Sequence, residues 1–582
     1  MRSFFKIFFA SLLALVVFSV IAFFLAVGMV SALASKERPK VADKSVLTLN
    51  LNQHFSEKRI ENPLATISGD ETDVPGLYDV VRLIKHAGTD ENISGIYITA
   101  NGNNNGYAAS EELHTALLEF KKKKKFVIAH GDMMSQGAYL VASAADRVYA
   151  NPVGNVDWSG FNMDVAFVKG TLDKLQIEPQ IFYAGKFKSA TEPFRTDKMT
   201  PENKTQTIEW LGDLYRHFLV RVSQSRKIDT ATLHRLANTG AIQTPQDAVS
   251  NKLIDGVLYD DQVKDEIKKH LKLGKYDKIN YITINKYAEA ASFRQSGSSR
   301  IALIYAEGNI IDGKGDKDNI GSEDYVKLIR KARLDKSIKA VVFRINSGGG
   351  SALASENIWR ELALTKKDKP VVVSFGDVAA SGGYYIASAA DSIFALPNTI
   401  TGSIGVFGII PNMQGFFNEK LGVTFDGVKT ANYADAGAVY RPLTPQEKVF
   451  VQASVDRIYT QFKQRVAEGR KRDTAYIDSI AQGRVWSGED ALRLGLVDRL
   501  GGLEDAVVAA ARMAKVEDYR LREYPERKSW INELLGKSSA EPAALIKEQL
   551  GADNYRIYQE MLQVKQMVGV PQARLPFTFV IH

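Results

Sequence analysis

The chain contains no cysteine among its 582 residues. This absence excludes disulfide bonds, thiolate metal sites and cysteine-dependent catalysis, and it leaves the compartment open, because a protein without cysteine folds in reducing and oxidising surroundings alike. Proline is sparse as well, with 17 residues, so the composition is that of folded domains and not of a disordered chain. At roughly 100–200 residues per domain, the length predicts three or four structural units.

A strong net charge is also missing. The chain has 75 basic and 67 acidic residues, which gives a formal charge of +8. Much of this excess lies in Lys121–Lys125 and beside the apolar amino terminus. The lysine run is interpreted as a solvated helix end, where cations complement the helix dipole. We therefore expect no nucleic-acid partner.

Charged residues are absent from the segment between Ile7 and Ala34, which follows Arg2 and Lys6. This mostly apolar run exceeds the ~20 residues that a helix needs to span a membrane. A cleaved signal peptide is the alternative, since Ala32–Ser35 resembles a cleavage site, but the apolar region of a signal peptide is shorter, roughly 7–15 residues. We predict a retained single-pass anchor. Basic residues flank this anchor on both sides, so the positive-inside rule does not set its orientation. We place the bulk of the chain outside the cytoplasm.

An internal repeat organises the rest of the chain. Residues 131–146 and 376–391 align without a gap at an offset of 245 and share the same first two and last five residues. Residues 81–87 and 326–332 match at the same offset. Similarity of this length does not arise by chance, so the sequence predicts two copies of one structural unit.

Both copies alternate strand-like runs with helix-like runs, which predicts α/β units. The strand-like runs are 95–100, 126–129, 340–345 and 371–375, and the helix-like runs are 111–120 and 355–364. A polar stretch at 294–299 is typical of a linker between the copies. The predicted units are an amino-terminal anchor (1–45), a first repeat (46–293), a second repeat (294–525) and a carboxy-terminal packing or assembly segment (526–582).

Ser381 is the candidate nucleophile. It follows a buried-strand pattern and precedes a helix-like segment that begins with Gly382. A serine in this place is often only a helix cap. The first copy, however, has Gln136 at the equivalent position while several neighbouring residues are kept, so the fold does not require serine there.

Glycines near the candidate nucleophile predict an oxyanion site. Backbone N–H groups at the start of a helix stabilise developing negative charge, and Gly382 allows a substrate to approach closely. A second glycine loop follows the strand-like run 340–345, and Gly349 or Gly350 in this loop is the candidate for a further N–H donor.

Histidine is poorly placed to be the base. Seven of the eight histidines lie at or before residue 270 and the eighth is His582, so none lies within a hundred residues of Ser381. A Ser–His pair would have to join the two copies, and no motif supports it. Lysine is the better candidate.

Two lysines, Lys186 and Lys188, lie on one side of a segment that is predicted to be extended, between apolar or small neighbours. After a one-residue slip Lys188 aligns with Ala434, so the first copy has the lysine without the serine and the second copy has the reverse. This reciprocal loss indicates one composite site. A lysine base needs its pKa lowered from ~10.4 to about 7 or 8, which burial must supply. We therefore expect Lys188 to be buried between the copies.

Four motifs in order carry a resemblance to a known family: residues 185–193, 345–351, 379–384 and 401–405. Together they make the chain similar to the signal peptide peptidase A family, also called protease IV, in its long duplicated form. The resemblance implies a ClpP/crotonase-like fold in each copy, a homo-tetramer on the inner (cytoplasmic) membrane, and a dyad of Ser381 and Lys188. It also implies that Ser403 orients the lysine. Where the family often has proline, this chain has Gly348, which loosens the turn.

The predicted reaction is hydrolysis of hydrophobic peptides, including remnants of signal peptides, without a metal or cofactor. Neutral Lys188 takes the proton of Ser381 while N–H groups of Gly382 and Gly350, or Gly349, hold the oxyanion. Two other functions stay open. An acyl-CoA enzyme of the crotonase type is disfavoured by the anchor and the Ser–Lys pair. A non-catalytic membrane scaffold is the other, because the first copy lacks the nucleophile.

Overall fold

The computed structural model describes residues 2–34, 39–61, 73–294, 296–316, 318–526 and 569–575. An amino-terminal apolar helix, α1 (Arg2–Ala34), precedes two α/β copies. Among the described residues, α1 is the one helix long and apolar enough to cross a membrane, with a mean hydropathy of 2.5 over Phe4–Ala22. The predicted fold class, two tandem α/β copies after one amino-terminal helix, is confirmed.

The first copy contains nine strands and ten α-helices within the described ranges. The strands are β1 (Ser45–Asn50), β2 (Ile60–Glu61), β3 (Asp73–Val74), β4 (Ile93–Thr99), β5 (Phe126–Met134), β6 (Arg147–Val156), β7 (Glu178–Ala184), β8 (Gly256–Val257) and β9 (Tyr281–Thr283). The helices are α2 (Leu77–Thr89), α3 (Tyr107–Lys121), α4 (Gln136–Ala142), α5 (Lys169–Lys174), α6 (Glu192–Arg195), α7 (Pro201–Arg226), α8 (Thr230–Asn238), α9 (Pro245–Ser250), α10 (Asp260–Leu271) and α11 (Ile284–Ala290).

The second copy repeats this alternation of elements. Its strands are β10 (Ser299–Glu307), β11 (Asn309–Ile311), β12 (Asn319–Gly321), β13 (Ile338–Ser347), β14 (Gly349–Ser351), β15 (Val371–Ala380), β16 (Ser392–Ala395), β17 (Ile400–Gly402), β18 (Val406–Asn412), β19 (Val485–Ser487), β20 (Arg499–Leu500) and β21 (Tyr519–Tyr524). Its helices are α12 (Ser322–Leu334), α13 (Ala352–Asp368), α14 (Gly382–Ala387), α15 (Pro445–Arg470), α16 (Thr474–Ile480), α17 (Gly488–Arg493) and α18 (Leu503–Met513). The last described segment adds β22 (Gln572–Arg574).

The two copies have the same sheet topology. In the first copy the strand order is β8-β6-β5-β4-β1-β9, and all neighbours are parallel. In the second copy the order β20-β16-β15-β13-β10-β21 has the same path and the same parallel pairing. The central strands β5 and β15 begin at residues 126 and 371, at the repeat offset read from the sequence. The internal repeat is therefore a repeat of structure.

The parallel strands are buried on both faces, which explains their continuous apolar runs. In β15, residues 371–376 are all buried, and β13 is buried almost throughout. Each copy has its own large core, but Phe182 and Ala184 on β7 pack into the core of the second copy. The first copy therefore contributes one strand to the interior of the other.

The lysine run Lys121–Lys125 lies at a helix end, as predicted. Helix α3 ends at Lys121, whose ammonium donates to the carbonyl of Ala144, and Lys125 donates to the carbonyl of Ala87. In the second copy Lys366, the counterpart of Lys121, makes a similar contact with the carbonyl of Ala390. In both copies, lysines at the end of the repeated helix therefore donate hydrogen bonds to backbone carbonyls of neighbouring segments.

A third sheet joins the copies. Its order is β12-β11-β14-β22-β18-β7, so it combines strands of both copies with the last described segment. Strand β7 pairs antiparallel with β18 over seven residues, from Ala184 opposite Val406 to Glu178 opposite Asn412. Because the chain enters the lysine-bearing segment directly after β7, this pairing carries that segment into the second copy.

Candidate active site

Ser381 occupies a strained turn between β15 and α14. Its backbone has φ 55° and ψ −114°, a conformation that costs a non-glycine residue of order 1–3 kcal/mol and is found mainly at functional sites. Its N–H donates to the carbonyl of Gly402 at 2.8 Å, and its side chain makes no capping hydrogen bond to α14. Ser381 is therefore the N-cap residue of α14 by position, but its hydroxyl does not cap the helix.

The lysine segment is a turn, and the prediction of an extended segment there is wrong. Gly185 has φ +105° and the N–H of Lys188 donates to the Gly185 carbonyl at 3.0 Å, which closes the turn. As a result the two lysines point in different directions. The ammonium of Lys186 lies over the ring of Phe187 and is exposed, whereas Lys188 is 1% exposed.

The structure brings Lys188, Ser381 and Ser403 together. Lys188 Nζ lies 2.9 Å from Ser381 Oγ, 3.0 Å from Ser403 Oγ and 3.2 Å from the Ser403 carbonyl oxygen. All three residues are buried. The lysine comes from the first copy and both serines from the second, as the reciprocal pattern of the repeat predicts.

Burial lowers the pKa of Lys188 well below its ordinary value, and no nearby charge opposes this effect. The aliphatic stem is enclosed by backbone: a side chain on Gly483 would lie 2.7 Å from Lys188 Cα, and one on Gly405 would lie 3.1 Å from Lys188 Cδ. Gly483 also has φ +76°, which favours glycine. A water-excluded channel of this kind favours the neutral amine over the ammonium.

Ser403 reaches the lysine through strand pairing. Strand β17 pairs with β15, with Ala380 opposite Gly402, so the residue after each strand lies beside the other. Ser403 has φ 50°, and its N–H donates to the carbonyl of Arg484 at 2.6 Å. Its hydroxyl and its carbonyl both accept from Lys188, which fixes the direction of the amine.

The equivalent place in the first copy is filled by an amide. Gln136, in the position of Ser381, donates through Nε2 to the Gly160 carbonyl at 2.8 Å and accepts the Gly160 N–H through Oε1 at 2.9 Å. Trp158 stands where the second copy has Ser403, and its ring N–H donates to the carbonyl of Leu233. In the first copy these two positions thus carry an amide and an indole that bond to the backbone of the same copy. Only the second copy presents a serine to the lysine.

The candidate oxyanion glycines converge beside Ser381. Gly382 begins α14, and a side chain on Gly349 would lie 2.6 Å from the N–H nitrogen of Gly382. The Gly349 N–H already donates to Ser347 Oγ at 3.1 Å. Gly350 lies in β14 between β11 and β22. The N–H of Gly349 is thus engaged within its own loop, and Gly350 stays the other candidate donor.

A buried ionic cluster ties the glycine loop to the first copy. Arg344 on β13 is 0% exposed and donates to Glu57 at 3.0 Å and to Glu112 at 2.6 Å, both in the first copy. It also donates to the Phe375 carbonyl on β15 at 2.7 Å. Burial raises the pKa of Glu57 even against Arg344, and burial together with Glu57 raises the pKa of Glu307 to about 8.

Sequence reasoning missed several residues that build this site. Gly483, which encloses Lys188, lies outside the four motifs of the family resemblance, and its only local signal is a glycine after a helix. Arg344 lies within the strand-like run 340–345, and nothing in the sequence links it to Glu57 or Glu112. Their sequence separations, 287 and 232 residues, explain why.

Comparison with known proteins identifies the family of this chain. The pattern of peptidase family S49 matches residues 119–274, which include Lys188, and residues 363–517, which include Ser381 and Ser403. The chain belongs to peptidase family S49. The S49 chain is 37% identical over 495 residues to Protease 4 of Salmonella typhi, with 83% of this chain and 79% of that protein covered. The family resemblance drawn from the four motifs is thereby confirmed.

Two further S49 relatives span bacteria and plants. Protease 4 of Haemophilus influenzae is 35% identical over 500 residues, which cover 82% of this chain and 80% of that protein. The chloroplastic serine protease SPPA of Arabidopsis thaliana is 32% identical over 488 residues, with 82% and 70% covered. Each alignment thus covers more than two thirds of both chains, and the protein is a member of the Protease 4/SPPA group of serine proteases.

Proposed function

We propose that this S49 protein is a membrane-anchored serine endopeptidase that cleaves hydrophobic peptides, such as remnants of signal peptides, with a dyad of Ser381 and Lys188. The observation that carries the proposal is the 2.9 Å separation of Lys188 Nζ and Ser381 Oγ in a buried site built from both copies. That distance is within hydrogen-bond reach, as transfer of a proton from nucleophile to base requires.

The first step is acylation of the enzyme. Ser381 Oγ attacks the carbonyl carbon of the scissile peptide bond, and its proton passes to the neutral Lys188 amine. The hydroxyl and the carbonyl oxygen of Ser403 accept hydrogen bonds from the two N–H groups of the neutral amine. The lone pair of Nζ is therefore directed at Ser381. The Lys188 ammonium then donates its proton to the leaving amine as the C–N bond breaks. Because the cation exists only during the reaction, the resting site holds no buried charge.

The oxyanion is held by the N–H groups of Gly382 and Gly350. The helix start at Gly382 adds the positive end of a helix to one side of the developing charge. In the second step water, deprotonated by the same lysine, hydrolyses the ester on Ser381 and restores the enzyme.

Helix α1 is the proposed anchor. None of the residues in its most apolar stretch, Phe4–Ala22, is buried in the isolated chain, which suits a helix surrounded by lipid. We place the catalytic copies on the extracytoplasmic side of the inner membrane and expect a homo-tetramer, as the motif resemblance implies. Anchoring raises the local concentration of membrane-bound peptides at the site.

The two other functions fit the site less well. A scaffold gains nothing from burying Lys188 without a carboxylate partner, since desolvation of the amine only reduces stability. An acyl-CoA enzyme of the crotonase type has no use for a lysine within reach of a serine nucleophile. Covalent labelling of Ser381 by an active-site-directed acylating probe separates hydrolase from scaffold.

The pH dependence tests the role of the lysine. We expect kcat/KM for a fluorogenic apolar peptide to rise with pH along a single limb and to level off above the lowered pKa of Lys188, because only the neutral amine accepts the serine proton. The measurement is turnover by detergent-solubilised protein between pH 6 and 10, with Ser381→Ala as the baseline. Activity that falls as the pH rises through this range would contradict a lysine base.

A further inference from the structure

The side chain of Gln206, on α7 of the first copy, lies beside the turn that carries Lys188 (the lysine turn) and reaches the second copy. It is 2% exposed. Its amide oxygen accepts the N–H of Val485 at 3.1 Å, at the start of β19. Its amide nitrogen lies 3.1 Å from the carbonyl oxygen of Phe187 and 3.2 Å from Ser189 Oγ, on the residues either side of the lysine. One buried amide therefore joins the lysine turn to the second copy.

The groups around this amide fix the direction in which it faces. The Val485 N–H can only donate and the Phe187 carbonyl can only accept, so the amide oxygen faces the first and the nitrogen faces the second. Asn203, one turn earlier on α7, places its Oδ1 3.1 Å from Gln206 Nε2. Glu192 in turn accepts from Asn203 Nδ2 at 2.8 Å. The amide is thus held in a single orientation.

Residues 482–485, to which the amide binds, hold both turns of the site. The Gln482 carbonyl accepts the N–H of Phe187 at 2.8 Å. The Arg484 carbonyl accepts the N–H of Ser403 at 2.6 Å. The lysine turn and the turn at Ser403 are therefore attached to neighbouring residues of one short segment. A shift of the lysine turn along this segment would change the direction of the amine relative to both serines.

The internal repeat shows that the helix itself does not require a glutamine here. Helices α7 and α15 are both 26 residues long, and each follows a capping threonine, Thr200 in the first copy and Thr444 in the second. Six residues after the cap the first copy has Gln206 and the second has Phe450. Phe450 is 49% exposed, and its ring contacts Tyr433. The glutamine therefore occurs in the copy that carries the lysine and not in the copy that carries the serine.

Burial, without a charged partner, lowers the pKa of Lys188. The charged side chains on the surrounding segments are bound to other groups. These pairs are Lys186 with the ring of Phe187, Glu192 with Asn203, Glu209 with Arg484, and Lys463 with Asp478. The neutral form of the lysine thus depends on a turn that stays closed to water.

We propose that Gln206 is a positioning residue for the lysine base, which fixes the lysine turn to residues 482–485 so that Lys188 meets Ser381 in a site closed to water. This inference rests on the proposed function and adds a residue to its machinery. The amide does not touch the reacting atoms, so it acts through Lys188. It is a third element, after the serine and the lysine, that joins the two copies in one site.

The effect of Gln206→Met on turnover tests the proposal. Methionine fills a similar volume but neither donates nor accepts at Val485 and Phe187. We expect kcat for the fluorogenic peptide to fall about 10- to 100-fold, as a small misplacement of a catalytic group does, with KM unchanged. The basic limb of the pH profile should also move to higher pH, because water that enters the loosened turn stabilises the ammonium form of Lys188.

Two further variants make the test specific. Asp213→Ala is the matched control, because Asp213 also joins α7 to β19, through Ser487 Oγ at 2.8 Å, but does not contact the lysine turn. It should lower the urea midpoint and leave kcat and the pH limb unchanged. Gln206→Glu keeps the shape of the side chain and serves if the methionine variant does not fold. Its carboxylate favours the ammonium form, so its limb should also move to higher pH.

The outcomes separate this inference from the proposed function. A parent protein that hydrolyses the peptide, with Gln206→Met or Gln206→Glu showing the same kcat and the same pH limb, overturns the positioning role and leaves the peptidase proposal standing. An equal loss of kcat and an equal shift of the limb in Asp213→Ala overturns it too, since any loosening of α7 would then suffice. If the parent does not hydrolyse the peptide, both proposals fail.

Discussion

Replacing Lys188 with methionine is expected to abolish peptide hydrolysis and, at the same time, to raise the free energy of unfolding at neutral pH. The loss of activity should reach about four orders of magnitude or more in kcat, as in other serine hydrolases that lose one member of the catalytic group. Methionine keeps the length and apolar character of the lysine stem, so the channel between Gly405 and Gly483 stays filled.

The gain in stability follows from the sign of the pKa shift. The folded-state pKa of Lys188 lies below its unfolded value, so the unfolded chain binds more protons between the two values and stability rises with pH. The penalty of the buried lysine is thus absent above pH ~10.4, grows as the pH falls, and is constant below the folded-state pKa. Methionine removes the penalty.

Chemical denaturation at pH 7 and pH 10, together with turnover of the fluorogenic peptide, checks this prediction. The stability difference between Lys188→Met and the parent should shrink as the pH rises. Lys186→Met is the matched control, because Lys186 is exposed two residues away and should affect neither quantity. A Lys188→Met protein that is inactive and also less stable than the parent would mean that the lysine is structural.

Replacing Arg344 with methionine is expected to destabilise the protein by about 3–5 kcal/mol, because it leaves two buried carboxylates, Glu57 and Glu112, without their cation. The lost donor to the Phe375 carbonyl also frees β15, the strand that ends at Ser381. The loss should be smaller at pH 5 than at pH 8, since burial raises the pKa of Glu57 and a protonated carboxyl needs no cation.

Urea midpoints at the two pH values measure this effect. Arg330→Met is the control: Arg330 also pairs with a glutamate, Glu361, but is half exposed, and such pairs contribute about 0–1 kcal/mol. Equal shifts for the two variants, or a loss at Arg344 that does not depend on pH, would contradict the role assigned to the buried cluster.

Much of this architecture could be predicted from the sequence because the same local sequence pattern occurs in both copies. The offset between residues 131–146 and 376–391 aligned the two sheets, and it showed that Ser381 and Lys188 each lack a counterpart. Apolar runs located β5 and β15 at their first residues, although both strands continue past the predicted ends.

What the sequence could not predict depends on contacts between distant segments. Strand β7 has no feature that assigns it to β18 of the other copy, yet this pairing positions Lys188. The segment after β7 turns at Gly185 instead of staying extended, because Gly185 packs closely against the backbone of Gln482. Gln482 is distant in the sequence, so this contact could not be predicted. Likewise, three residues of β22 carry no catalytic motif, and only their register against β14 relates them to the site.

The most direct test of the composite dyad is a double-mutant cycle in kcat for Ser381→Ala, Lys188→Ala and the double variant, with the fluorogenic peptide at saturating concentration. We expect each single variant to lose nearly all activity and the double variant to be no worse than either, because two residues that act as one unit fail together. If Lys188→Ala retained activity that Ser381→Ala had lost, or if the two losses added, the serine would have another base and the dyad would be refuted.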